Sequence, residues 1–255
     1  MSRVRSVPGP VPMIIPLLWL ACGCGAGATT VSPFGDGNLA LSFDGVTSYA
    51  TAANGGFPAA GAVQTVEMWV NYPAPTATTT ADFLVMRLDL SNGVQIGIHD
   101  GALAVWRTYV DRVLVGAPTL PPADTWHHIA WSFDLTVNTL YVDGAVADAE
   151  MTATDVRTPT TVWLGTLDGM SELFAGQLDE IRVWNLVRSA SDIQADMQHS
   201  APASMPGLVA YWTFDDSASG GRALDASGSG NDVTLGDGVA ANMPTRIPSD
   251  APDGQ

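Results

Sequence analysis

The feature that most constrains this chain is its rhythm. From Leu39 onward, short runs of alternating apolar and polar residues are broken by turn dipeptides. Alternation with period two gives a strand one buried face, whereas an amphipathic helix needs apolar residues three and four apart. Leu39-Ala40-Leu41-Ser42-Phe43 stops at Asp44-Gly45, while Asp82–Leu90, Val94–His99 and Ala102–Tyr109 are joined at Ser91-Asn92-Gly93 and Asp100-Gly101. Such dipeptides accept the left-handed backbone of tight hairpin turns. Gln64–Tyr72 carries bulk on both faces (Val66, Met68, Val70 and Tyr72 against Glu67, Trp69 and Asn71), which predicts a strand covered on both sides. Thr125–Phe133, Leu140–Val142 before Asp143-Gly144, Thr161–Gly165, Gly176–Trp184, Gly207–Asp215 and Val233–Leu235 continue the series. One helix is expected, capped by Ser189 or Ser191, with Ile193 and Met197 four apart and Pro202 ending the region. Its shortness predicts that it covers one end of the sandwich. The pattern reads as an all-β fold, a two-sheet antiparallel sandwich with one short helix.

Charge narrows the partners. The chain has 26 acidic and 10 basic residues and a net charge of −16; every basic residue is Arg, and 22 of the acids are Asp. No basic stripe is available to face a phosphate backbone, which excludes nucleic acid as a partner. Short Asp carboxylates favour turns and strand ends, where they accept backbone N–H groups.

The N-terminus reads as an export signal. Arg3 and Arg5 form a basic region, and Val11–Ala21 is an apolar run too short for a transmembrane helix. Trp19-Leu20-Ala21-Cys22-Gly23 resembles a bacterial lipobox, with Trp19 where that pattern usually has Leu. The expected organisation is a lipoprotein-like signal peptide over 1–22, a flexible tether over 23–35, one domain over 36–240 and a disordered tail over 241–255. Cys22 is the expected lipidation site, so the membrane is reached only through a lipid anchor there. The expected location is the bacterial cell envelope, as an outer-membrane lipoprotein, or otherwise the secreted fraction. Cys22 and Cys24, the two cysteines, lie too close together to staple the domain.

Four stretches carry a family resemblance: Ala40-Leu41-Ser42-Phe43-Asp44-Gly45; Val66-Glu67-Met68-Trp69-Val70; Thr125-Trp126-His127-His128-Ile129-Ala130 leading to Leu140-Tyr141-Val142-Asp143-Gly144; and Gly176-Gln177-Leu178-Asp179-Glu180-Ile181-Arg182-Val183-Trp184-Asn185. In order and spacing they resemble the laminin-G-like, or concanavalin A-like lectin/glucanase, jelly-roll of bacterial surface proteins, over about residues 39–200. The resemblance implies a jelly-roll sandwich. One departure stands out: a strand like Leu208–Asp215, with its Ser/Gly/Asn loop, usually precedes the Phe-Asp-Gly strand, and here it comes last. It is either a closing strand of the same sandwich or a truncated repeat. Closure is favoured, because a lone aromatic strand would leave an exposed edge, and it predicts pairing of Leu208–Phe214 with Leu39–Phe43 or Leu178–Trp184.

The glucanases of this fold act through paired carboxylates. Asp179 and Glu180 are adjacent, which on a regular strand sends them to opposite faces. Catalysis is therefore not expected, and Asp179, Glu180 and Arg182 read as an inter-strand ion pair or turn anchor involving Arg182, with Trp184 packed alongside. His127 and His128 read as packing residues. Calcium is the cofactor the resemblance implies, with Asp44, Asp179, Asp215, Asp225, Asn231 and Asp232 as oxygen donors; a turn rich in Asx caps accounts equally well for Asp225–Asp232. Trp106, Tyr109 and Trp163 are the candidate ligand-binding aromatics. The expected function is an exported envelope module that binds a carbohydrate or a surface protein without catalysis. The alternatives are a glycoside hydrolase or lyase of the same fold, or a purely structural envelope protein.

Overall fold

A computed structural model describes residues 37–53, 56–58, 62–89, 92–107, 112–151, 159, 161–201, 205–216 and 221–252. The expected signal peptide, the tether, Cys22 and Tyr109 lie outside the described residues. In chain order the strands are β1 (Leu39–Asp44), β2 (Ala50–Ala53), β3 (Gln64–Asn71), β4 (Ala81–Asp89), β5 (Asn92–His99), β6 (Ala102–Arg107), β7 (Arg112–Gly116), β8 (Trp126–Phe133), β9 (Val137–Val142), β10 (Ala145–Met151), β11 (Thr161–Leu164) and β12 (Ala175–Trp184). Helix α1 (Ala190–Asp196) follows, then β13 (Leu208–Trp212), β14 (Arg222–Ala223), β15 (Val233–Leu235) and β16 (Thr245–Pro248).

They form two eight-stranded antiparallel sheets, the jelly-roll sandwich expected. The first runs β10-β9-β8-β3-β12-β1-β16, with β13 also paired to β12; the second runs β14-β15-β2-β11-β4-β5-β6-β7. The core lies between them and follows the alternation: Val66, Met68 and Val70 of β3 and Ile129, Trp131 and Phe133 of β8 meet Leu84, Met86, Ile96, Val105, Val162 and Leu164 from the second sheet.

Strand β12 organises the first sheet. One of its edges pairs with β3. Along the other, β1 occupies Ala175–Leu178 and β13 occupies Ile181–Trp184, so first and late strands lie end to end. At the junction, the Leu39 backbone N–H donates to Asp215 Oδ1 at 2.7 Å. Here β12 bulges between Asp179 and Arg182, with Glu180 in the left-handed region at φ 50°. A bulge of this kind changes which way consecutive side chains point.

The C-terminal segment departs from the sequence reading. Residues expected as a disordered tail contain β16, which pairs with β1 from Leu39↔Pro248 to Ser42↔Thr245. Thr-Arg-Ile-Pro is too short and polar to signal a strand, but it forms an edge, where proline's missing N–H costs no ladder bond.

The helix departs too. Ser189 caps it with a reciprocal Asp192 contact. Rather than covering one end of the sandwich, α1 covers the outer face of the first sheet: Ile193 packs on Ala130 and Tyr141, and Trp69 Nε1 donates to Met197 O at 2.9 Å. The cover explains why β3 is buried on both faces.

Candidate functional site

Alternation in the second sheet decides which side chains leave the core. Ala50, Ala52, Val162, Leu164, Val233 and Leu235 point inward, so Thr51, Trp163 and Thr234 point outward. The registers align Thr234, Thr51, Trp163, Val85, Gln95 and Trp106 in one row across adjacent strands on that outer face.

Within this row Trp163 is half-buried. Its ring lies against Tyr49, with centroids 5.7 Å apart and planes at 40°. Tyr49 Oη donates to Asp237 Oδ2 at 3.0 Å, and Thr51 Oγ1 donates to Asp237 Oδ1 at 3.0 Å. Burial, and then the Asp237 carboxylate, push the Tyr49 hydroxyl above its ordinary range, so it remains a donor. Asp237 itself is exposed, at φ 50° in the turn Gly236–Gly238; Asp tolerates this left-handed position better than most residues. A carboxylate has about four lone-pair sites, and two are in use here.

The loop between β11 and β12 forms one wall. A Cβ on Gly169, at φ 83°, would stand 3.4 Å from the Tyr49 ring and 3.5 Å from the Trp163 ring, so the loop backbone lies against both. Arg87 Nη1 holds the loop through Leu167 O at 2.7 Å. Gln95 Nε2 holds it a second time, donating to Asp82 Oδ1 at 3.0 Å and to Glu172 Oε2 at 2.6 Å. Burial opposes ionisation of Asp168, but hydrogen bonds from Ser171 and Met170 outweigh it and keep that carboxyl below its usual range. The result is an aromatic plate partly in water, beside a carboxylate with spare acceptor capacity, on a braced surface.

The other candidate aromatics do not join it. Trp106 stands in the same row but is only 2% exposed, its ring 4.8 Å from His99; it packs rather than presents itself. Alternation gives a side chain's face but not what covers it, which is why sequence did not separate Trp106 from Trp163. Tyr49, Thr51 and Asp237 were missed altogether. The only signal for Asp237 was Gly236-Asp237-Gly238, a turn needing left-handed backbone.

The calcium donors do not converge. Among the described residues, no three His, Cys, Asp or Glu side chains form a cluster suited to a metal ion. Asp44 Oδ1 accepts the N–H groups of Val46, Thr47 and Ser48; burial works against it, but these bonds hold its carboxyl well below the usual range. Asp179 lies buried in β12, with Ser249 Oγ donating to Oδ2 at 2.6 Å, and Asp215 caps β1. Asp225, Asn231 and Asp232 do come together, as an Asx-capped loop. Asp225 accepts N–H groups of Tyr211, Ser227 and Asn231. Asp232 accepts the Asp225 N–H and pairs with Arg222 at 2.5 Å, while Arg246 neutralises Asp216 at 3.1 Å. The carboxylates of this loop are taken up by N–H donors and guanidinium groups, which leaves Asn231 Oδ1 as its one buried side-chain oxygen without a hydrogen-bond partner, fewer free donors than the six to eight that calcium takes.

The acids of β12 are structural. Glu180 Oε2 accepts from Arg182 Nη2 at 2.6 Å and from Tyr211 Oη at 2.5 Å. Arg182 also caps Asp196 O and His199 O, behind the helix. Trp184 does pack beside a cation, but the guanidinium over its ring, at 4.3 Å, is that of Arg188. His128 is buried edge-on to Trp69 at 5.3 Å. Burial, reinforced by Arg182 and Arg188, lowers its pKa to about 3, so its 3.7 Å approach to Glu67 is not an ion pair. His127 bridges Asp143 at 2.9 Å at the rim.

The comparisons with known proteins agree with this architecture. A laminin-G-type family profile described as the concanavalin A-like lectin/glucanases superfamily matches residues 44–194. No curated protein sequence matches the chain. Among solved structures, a candidate carbohydrate binding protein from Bacteroides ovatus superposes with a TM-score of 0.66 at 19% identity, over 84% of this chain and 61% of that one. The chain thus spans less than two thirds of that protein's length. Domain 4 of AbnA, an extracellular GH43 arabinanase from Geobacillus stearothermophilus solved with arabinotriose, gives 0.52 at 20% identity, over 61% of this chain and 75% of that domain. At these identities the likeness is one of fold. With the profile spanning residues 44–194, the chain belongs to the concanavalin A-like lectin/glucanases superfamily.

Proposed function

We propose that this domain is a non-catalytic carbohydrate-binding module whose platform is Trp163, flanked by Tyr49, Thr51 and Asp237. The observation that carries the reading is the half-buried Trp163 ring set 5.7 Å from Tyr49, with an exposed carboxylate alongside. The C–H face of a sugar ring is apolar and gains by covering aromatic surface, while its hydroxyls donate to an acceptor at the rim. A rigid sandwich carrying recognition on one face suits such a ligand better than a mobile protein segment.

Two observations support a binding role over a hydrolytic one. Asp179 and Glu180 are buried, and each is taken up by structural partners. Asp82, the strongly buried acid nearest the platform, shares its amide donor with Glu172 and has no exposed surface. Neither pair frames an open gap in which a water and a glycosidic oxygen could sit. Both relatives named above carry carbohydrate binding or a bound sugar in their descriptions, which agrees with this reading.

Affinity electrophoresis of the intact chain through gels containing plant and bacterial polysaccharides tests it. Retardation by at least one polysaccharide, without release of reducing ends and lost in Trp163→Ala, is the expected result. Reducing-end release by wild type that survives in Trp163→Ala, or migration unaffected by every polysaccharide, overturns it. Export and lipidation at Cys22 belong to the same proposal, and failure of Cys22 to incorporate labelled palmitate in a bacterial host removes that part.

A further inference from the structure

The platform's electrostatics point to the kind of glycan it takes, and this inference rests on the carbohydrate reading above. The chain has ten Arg and no Lys, and seven of the ten lie among the described residues. Among the described residues, Arg182 and Arg188 are buried beneath α1, on the opposite sheet. Arg222 pairs with Asp232, and Arg246 pairs with Asp216. Arg107 and Arg112 lie on β6 and β7, three and four strands from β11, or roughly 14 and 19 Å at the usual strand spacing. Among the described arginines only Arg87 is adjacent; it is 5% exposed, aims Nη1 at Leu167 O, and acts on the neighbouring Asp168 carboxylate.

The acids fare differently. Asp237 contacts only two neutral hydroxyl donors, Tyr49 Oη and Thr51 Oγ1. Glu172 has the neutral Gln95 amide. Asp237 thus borders the aromatic plate with neutral partners, on a protein of net charge −16. Sugar hydroxyls can donate into the free lone pairs of Asp237. A carboxylate or sulfate on the ligand would face that same group, with no guanidinium among the described residues placed to bridge them, and like charges held close together repel.

We propose that the platform selects non-acidic glycans, seating a sugar face on Trp163 and adjacent hydroxyl groups on Asp237, and discriminates against uronate, sialate and sulfated sugars. Asp237 is then the specificity-determining residue, and Trp163 supplies the contact common to all ligands.

The test uses the intact chain and matched glycans that differ only in charge: polygalacturonate, glucuronoxylan and alginate beside their carboxyl-reduced forms, and sialylated beside asialo N-acetyllactosamine. The account expects the neutral member of a bound pair to bind at least about tenfold more tightly at low salt, with the gap narrowing as salt rises. Asn tolerates the left-handed backbone at position 237. Asp237→Asn is therefore expected to weaken neutral binding and to reduce the neutral-to-acidic ratio by about threefold or more. Acidic members binding as well as or better than their neutral partners overturns the proposed selectivity while leaving the carbohydrate reading in place. An unchanged ratio in Asp237→Asn removes this residue from the account. Failure of every member of the panel to bind overturns the carbohydrate reading and this inference with it.

Discussion

Asp82 and Glu172 accept hydrogen bonds from one donor, the Gln95 side-chain amide, at 3.0 and 2.6 Å. Asp82 belongs to β4 and Glu172 to the loop that walls the platform, so the shared amide ties that wall to the strand beneath it. Burial, and then the Glu172 charge, push the Asp82 carboxyl well above its ordinary range. Burial and the Glu172 charge oppose ionisation of Asp82, and the Gln95 amide favours it.

A pH profile follows, with a definite sign. Asp179 is likewise pushed up, to about 8, chiefly by burial. For both acids the folded pKa lies above the unfolded one. Their stabilisation is complete below the ordinary carboxylate range, near 3.9, and is lost as pH rises through the folded values. Asp44 and Asp168 lie on the other side: their folded values are depressed, so their contribution is present above the ordinary range and lost as pH falls. Thermal unfolding should show greatest stability in mildly acidic buffer and a decline toward about pH 8. Asp179→Asn should flatten the alkaline decline; an unchanged profile would contradict the assignment.

Removing the Arg182 side chain should be costly. Its guanidinium serves Glu180, Asp196 O and His199 O and lies 5.0 Å from the Tyr211 ring centroid. Arg182→Met leaves Glu180 buried without its cation and should lower unfolding free energy in urea by roughly 3–5 kcal/mol. Arg182→Met combined with Glu180→Gln should recover part of that loss, since the orphaned charge is then gone. A single variant within about 1 kcal/mol of wild type would show that the cluster is not a structural anchor.

Ending the chain after Met243 tests the closing edge. The truncation strips β16 from β1 and takes Ser249 away from Asp179. With several backbone hydrogen bonds lost at about 0.5–1.5 kcal/mol each, a stability decrease of at least ~2 kcal/mol is expected. A truncated protein as stable as the whole would return residues 244–255 to the status of a tail.

The Asp225–Asp232 loop should not need calcium. Asp225→Ala removes the acceptor for three backbone N–H groups and should cost roughly 1–3 kcal/mol, equally with millimolar calcium or with chelator. A calcium-dependent rise in melting temperature of the wild type would contradict this.

Much of the fold was legible because its strands alternate or carry bulk on both faces, and β1, β5 and β9 end at Asp-Gly. β3, β8 and β12 emerge clearly, as does the charged motif around Arg182. What stayed hidden is short or lies at an edge. Ala50–Ala53 has too little bulk to signal a strand, and Thr245–Pro248 ends in a residue that usually argues against one. The helix was found, but its place was not, because the bulk of Trp69 and Glu67 on the second face of β3 says only that something covers it. The site was half legible. Trp163 could be named, yet its partners come from distant segments, and only the register of β2, β11 and β15 brings Thr51 and Asp237 beside it.

The central claim is that the outer face of the second sheet binds sugar through Trp163. Its most direct test is an NMR titration of the ¹⁵N-labelled protein with an oligosaccharide of whichever polysaccharide retards it, following the indole N–H signals of its eight tryptophans. The account predicts that the Trp163 signal moves first and furthest while those of Trp106, Trp131 and Trp212 stay in place. Saturable shifts at another indole with Trp163 unmoved would place the binding site elsewhere and contradict the account.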